Sequence, residues 1–156
     1  IDVYADRLAG SLRRLQVDAE IIEVQPHAWS WRDLEVPTFY GRAASSRTLG
    51  LYLSRWVKYP LALRAVHADI YHILDNSYGQ LAFFLDRRRT VVTSHGGTPH
   101  SWRRWNPEGP AMWMFDLAFK GTLRAARIIT VSDYAKQELL QETDYPPDHV
   151  QVVHHG

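Results

Sequence analysis

Thr90-Val91-Val92-Thr93-Ser94-His95-Gly96-Gly97 is the stretch from which the fold can be read. Its first five residues are β-branched or small and end in turn chemistry, so they read as a strand. Val91 and Val92 are adjacent instead of alternating with polar residues, which suits a strand buried on both faces. Such strands belong to parallel sheets covered by helices. The paired glycines let the backbone turn and come close to a ligand.

Working outward, the same kind of run recurs. Residues 19–24 (AEIIEV), 70–74 (IYHIL), 127–131 (RIITV) and 150–154 (VQVVH) read as further strands. Helical faces lie between them. Ile1, Tyr4, Leu8, Leu12 and Leu15 form one, and Leu49, Tyr52, Leu53, Trp56 and Val57 a second, which Pro60 should kink or split before it resumes to about Val66. Residues 80–85 read as a short helix. Met112, Phe115, Phe119 and Leu123 form a third face, and 133–141 a helix with Ser132 as its N-cap. Residues 25–47 and 95–110 read as irregular, and Pro146-Pro147 as a turn. The alternation predicts an α/β fold: an open, doubly wound, mainly parallel sheet flanked by helices. Ligands of such sheets sit beyond the carboxyl ends of the strands.

Composition narrows the function. The 156 residues are 46% hydrophobic, enough for a core in one ordinary domain. Lys and Arg number 18 against 17 Asp and Glu, a net charge of +1, which excludes a globally basic nucleic-acid binder. The chain has no cysteine, so disulfides and Cys-ligated metals are excluded. No apolar run approaches the roughly 18 residues of a membrane span, and no leader opens the chain. These features predict a cytoplasmic protein. Gly-x-Gly-x-x-Gly, the phosphate-loop motif, Gly-x-Ser-x-Gly, His-Glu-x-x-His and Asp-x-Asp are all missing. His154 and His155 point to opposite faces of their strand and cannot jointly grip a metal, and His67, His72 and His149 read as structural.

The candidate site residues follow from the strand ends. His95 ends a buried strand, where it can donate to a phosphate or sugar hydroxyl, take a proton, or simply cap a glycine turn. Gly96 and Gly97 give it close backbone approach. Asn76, Ser77 and Tyr78 follow the strand at 70–74 and can offer backbone N–H groups to an anion, with Asn76 or Ser77 as helix cap the structural alternative. Trp102 and Arg103 can stack on a base or sugar and hold a phosphate, or anchor a surface loop. Ser132 caps a helix at the third strand end.

The order Ala68-Asp69-Ile70-Tyr71-His72-Ile73-Leu74-Asp75, then Thr90 to Gly96, then Ala125-Ala126-Arg127-Ile128-Ile129-Thr130-Val131-Ser132, then Val150 to Gly156 resembles the acceptor-side N-terminal domain of family-4 glycosyltransferases. The resemblance covers nearly the whole chain. It implies the GT-B fold, with two Rossmann-like lobes facing across a cleft, and retaining transfer from a nucleotide-diphosphate sugar to a hydroxyl acceptor. That donor is a co-substrate, and no metal is implied. His95 matches the family's histidine beside the transferring sugar, and Gly156 the glycine of the inter-lobe segment. Many members follow that histidine with Asp, where this chain has Gly96. The resemblance further implies one lobe over 1–156, without the family's first strand and without the C-terminal lobe that holds most of the donor. Such a piece alone should be inactive.

Two other readings compete. The tryptophans Trp29, Trp31, Trp102 and Trp105 also suit a non-catalytic sugar- or nucleotide-binding module. Arg13-Arg14 and Arg87-Arg88-Arg89 are solvated faces, or contacts to anionic headgroups at a membrane surface.

Overall fold

The β-branched runs pair as the sequence predicts. In the computed structural model, which describes residues 2–20, 54–105 and 110–154, four strands form one sheet: β1 (Tyr71–Ile73), β2 (Thr90–Ser94), β3 (Arg127–Thr130) and β4 (Val150–Val152). All pairings are parallel, and the order is β1-β2-β3-β4. The register sets Ile73 beside Val92, Val92 beside Ile128, and Ile128 beside Val150. Those four residues are buried and form the centre of the core. The strand at 90–94 has the predicted bounds. The others are shorter than predicted, with Ile70, Leu74, Val131, Val153 and His154 outside the strands, although the Val153 N–H still donates to the Thr130 carbonyl at 2.8 Å.

Among the described residues the α-helices are α1 (Asp2–Arg14), α2 (Tyr59–Leu63), α3 (Pro99–Trp105), α4 (Pro110–Thr122) and α5 (Asp133–Glu142). A 3₁₀ helix, Asn76–Phe83, joins β1 to β2. Each parallel strand pair needs a crossover connection between its strands. The 3₁₀ helix and α4 are two such crossovers, and they meet backbone to backbone. A side chain at Gly79 would collide with Thr122 Oγ1 and the Ala118 carbonyl, and one at Gly121 with the Gly79 carbonyl. Only glycine fits at either position.

The chain divides into two compact units, Ile1–Ala5 with His67–Gly156, and Asp6–Val66. The sheet lies in the first. In the second, α1 stops where Gln16 takes a left-handed φ of 60° and the Val17 N–H reaches the Leu12 carbonyl at 3.0 Å. Leu15 therefore falls beyond the helix and is exposed. Among the α1 residues whose burial is described, Ala5 and Ala9 are buried and Tyr4, Leu8 and Leu12 are half-buried. The predicted break at Pro60 appears as a change of pitch. One π-helical turn, Ser54–Lys58, gives way to α2, with Pro60 in its first turn where no N–H is needed.

Three local predictions change. The helix after β1 begins at Asn76, not at residue 80, because extended Asp75 caps it by accepting the Ser77 N–H at 2.7 Å. Asn76 and Ser77 are thus not the cap. The irregular stretch 95–110 contains α3, whose start is fixed by a reciprocal pair. The Ser101 N–H donates to Thr98 Oγ1 at 3.4 Å, and the Thr98 N–H donates to Ser101 Oγ at 2.9 Å. Pro146-Pro147 leads into a 3₁₀ turn, Pro147–His149. Residues 19 and 20 have no regular structure. The rest of the predicted strand at 19–24, the irregular 25–47 and the helical face from Leu49 to Leu53 lie outside the described residues.

Candidate functional site

The carboxyl ends of β1, β2 and β3 bring three turns together. Asn76 is the link between the first two. It is 6% exposed. Its Oδ1 accepts the His95 N–H at 3.2 Å, and its Nδ2 donates to the Gly96 carbonyl at 3.5 Å. An amide has one acceptor end and one donor end. Both face the loop backbone, so Asn76 positions the turn that carries His95.

The His95 ring is fixed at a second point. Nε2 lies 2.9 Å from the Leu74 carbonyl. A carbonyl can only accept, so Nε2 carries the proton in this arrangement. The Tyr4 ring meets the imidazole edge to face, with centroids 6.2 Å apart and planes at 83°. The first turn of α1 therefore contributes to the site, a contact that the helical spacing of Tyr4 did not signal. His95 itself is exposed, so a ligand can reach it.

Gly96 and Gly97 hold φ values of 103° and 83°. L-residues rarely adopt these, so glycine is required twice in succession. Gly96 lies against Ala135 in the first turn of α5, 4.0 Å from its Cβ position to Ala135 Cβ. A Cβ at Gly97 would lie 3.5 Å from the Trp102 ring. The loop thus runs from the end of β2, past the N-terminus of α5, to α3. Ser132, extended at the third strand end, caps α5 as predicted by accepting the Ala135 N–H at 3.2 Å.

Trp102 and Arg103 have partners in the fold. The Trp102 ring packs on Phe115 with centroids 5.0 Å apart, and stays 38% exposed. The Arg103 guanidinium makes a forked contact to Asp116, at 2.9 and 3.2 Å. Both therefore clamp α3 onto α4. Glu142, at the far end of α5, accepts from Thr98 Oγ1 and from the His100 N–H. A carboxylate thus sits at the positive end of α3. Between α3 and α5 a cavity of about 360 Å³ opens, lined by His100, Arg104, Tyr134, Gln137 and Gln141.

The remaining candidates divide. Ser77 gives its N–H to Asp75, and Tyr78 its N–H to the Asp75 carbonyl at 2.9 Å, so these backbone donors are engaged within the turn. Lys136 donates to the Val150 carbonyl at 2.7 Å and ties α5 to β4. His154 faces Asp133 at 3.7 Å, both exposed. His72 is structural, 2.8 Å from Thr93 Oγ1 across the β1–β2 pair, and burial lowers its pKa. Gly156 and the Trp29–Trp31 pair lie outside the described residues. Among the described residues, no group of three or more His, Asp or Glu side chains is placed to hold a metal ion. No helix among them is long and apolar enough to cross a membrane.

A parallel sheet whose strand-end turns converge on one edge defines a Rossmann-like α/β lobe, and a histidine held on that edge suits work on a polar ligand. Residues 1–156 match the sequence model of Glycosyltransferase Family 4. The chain belongs to that family, and its parallel layer flanked by helices is the family's GT-B type of lobe. The role is accordingly of the glycosyltransferase type, on a sugar donor and an acceptor. No curated protein and no solved structure matches the chain significantly.

Proposed function

We propose that this chain is the acceptor-binding side of a retaining glycosyltransferase, which moves a sugar from a nucleotide-diphosphate sugar to a hydroxyl. The observation that carries the reading is the double fixation of His95. Its N–H is held by buried Asn76 and its ring by the Leu74 carbonyl, with two left-handed glycines directly after it. Such anchoring is what a group needs in order to meet a reacting centre at a fixed distance.

Glycosyl transfer passes through an oxocarbenium-like centre and releases a phosphate. In this reading a second lobe holds most of the nucleotide-sugar and the departing phosphate. His95 orients the sugar hydroxyls, with Gly96 and Gly97 allowing close backbone approach. With Nε2–H already given to a carbonyl, the ring is an orienting group and not a general base through that nitrogen. The exposed Tyr134 ring beside Gln137 and Gln141 suits a polyhydroxylated acceptor, since rings stack on sugars and amides both donate and accept.

The test is a panel of nucleotide-sugars offered to the full-length protein, with released nucleotide diphosphate as the readout. His95→Ala should cut turnover by about 10²-fold or more while leaving the unfolding midpoint in place. Near-normal turnover in that variant sinks the assignment. Sugar binding with no release from any donor favours the non-catalytic module.

A further inference from the structure

At the end of the sheet opposite His95, the connections leading into β2, β3 and β4 meet. They enclose an open cleft of about 590 Å³. Leu123, Ala125 and Pro146 give it an apolar lining, and Arg87 and Arg88 stand in its wall. The length of β2, about 16 Å at 3.3 Å per residue, separates this cleft from the strand-end site.

The three consecutive arginines are not equivalent. Asp86 accepts the Arg88 N–H at 2.9 Å and so fixes the 3₁₀ turn Arg87–Arg89. Arg89 is committed to the fold, with Nε 3.7 Å from Asp86 and one guanidinium nitrogen 3.5 Å from the Ala68 carbonyl. Arg87 and Arg88 make no side-chain hydrogen bond or ion pair among the described residues, and both are exposed. Asp144 is the single carboxylate of the lining, against these two guanidiniums, and His149 adds charge when protonated. Tyr145 forms part of the cleft and anchors it, its hydroxyl donating to the Ala125 carbonyl at 2.8 Å. Burial raises the Tyr145 pKa, while Arg87 and Arg127 pull the other way, so positive charge is felt at the buried phenol.

A guanidinium presents a planar fork of donors that matches phosphate oxygens in pairs. Two forks without a protein partner among the described residues that line one cleft fit a dianion, and the apolar lining fits whatever carries it. We infer that this cleft binds a phosphate group borne on an apolar body, with Arg87 and Arg88 as its ligands. Reacting ligands of an open parallel sheet lie at the carboxyl edge. The phosphate here is therefore a separate, anchoring or modulating ligand. Its source is either the headgroup of an anionic lipid or a soluble phosphate ester.

The experiment uses the full-length protein and two probes, phenyl phosphate and phosphatidylglycerol vesicles. Phenyl phosphate should shift the amide NMR signals of Arg88 and of residues 143–149 saturably, and more tightly than inorganic phosphate does. Arg87→Gln with Arg88→Gln should weaken this at least tenfold. Arg64→Gln with Lys120→Gln, which removes the same charge elsewhere, should not. Sedimentation with the vesicles that the first pair abolishes identifies a lipid headgroup as the source, and saturation by phenyl phosphate without sedimentation identifies a soluble ester. No saturable shift in the wild type, together with no variant-dependent sedimentation, overturns the inference. Equal weakening by both pairs overturns it too.

Discussion

At the carboxyl end of β1 and β2, Asn76 and Ser94 are buried, Asp75 is half-buried, and the amide of Asn76 closes on the neighbouring backbone. At the amino end, Arg87, Arg88, Asp144 and His149 are exposed, and the two arginines reach no partner among the described residues. The same sheet therefore has one end whose shape is fixed from within and one whose charges are turned outward. Buried polar atoms must be paired or they cost free energy, so the first end tolerates little change. Solvated charges carry no such penalty, so the second is open to change without loss of fold.

The largest test of that difference lies beneath the fixed end. Gly79→Val places a side chain against the Ala118 carbonyl, which cannot move aside as a flexible side chain would. It should cost about 3 kcal/mol or more in urea unfolding, a large fraction of the stability of a marginal domain. Gly10→Ala is the control, since among the described residues nothing lies within 4 Å of its Cβ position and alanine favours a helix interior. Equal behaviour of the two variants removes the Gly79–Gly121 crossing from the account.

Next comes the link itself. Asn76→Ala leaves the His95 N–H without its acceptor and should cost about 1–3 kcal/mol, with turnover falling more than in a surface variant of equal stability. Unchanged stability would show that the turn holds without its amide. Thr130 offers a gain in place of a loss. Its hydroxyl is fully buried at the end of β3 with no hydrogen-bond partner among the described residues. Thr130→Val keeps the shape and should raise stability by about 1 kcal/mol. A decrease on calorimetry would mean that the hydroxyl is satisfied.

The smallest effect tests the strand pair between the two ends. Burial lowers the His72 pKa below the ordinary 6.5, so the unfolded chain takes up that proton first. Stability due to neutral His72 is complete above about pH 6.5 and is lost as pH falls from there toward the lowered value. Urea midpoints should decline over that window, and His72→Asn should flatten the decline. An identical slope in the variant assigns it to another group.

The sheet was largely legible in the sequence because its strands are short apolar runs bounded by turn residues. Thr90–Ser94 could be read to the residue, and Ser132 could be read as a cap from its place ahead of Asp133. The predicted strands at 127–131 and 150–154 overran, since a ladder ends where its neighbour's short strand ends and not where apolar residues stop. Helix α3 escaped because Trp102, Arg103, Arg104 and Trp105 show no apolar stripe. Its signal was Thr98-Pro99 with Ser101 three residues after the threonine, a helix start and not a loop. At the site, His95 and its glycines stood out by position. The role of Asn76 did not, because a buried amide that holds a distant loop looks in sequence like any turn asparagine.

The segment from His95 to Thr98 is tied at both ends, by Asn76 at its start and by Ser101 and Glu142 at its finish. A free loop of that length gives up roughly 1–2 kcal/mol of backbone entropy per residue when a ligand orders it. Here folding has already removed that freedom. Under the proposed function, a sugar reaching His95 would meet a loop already ordered by folding, so its affinity would report mainly its contacts.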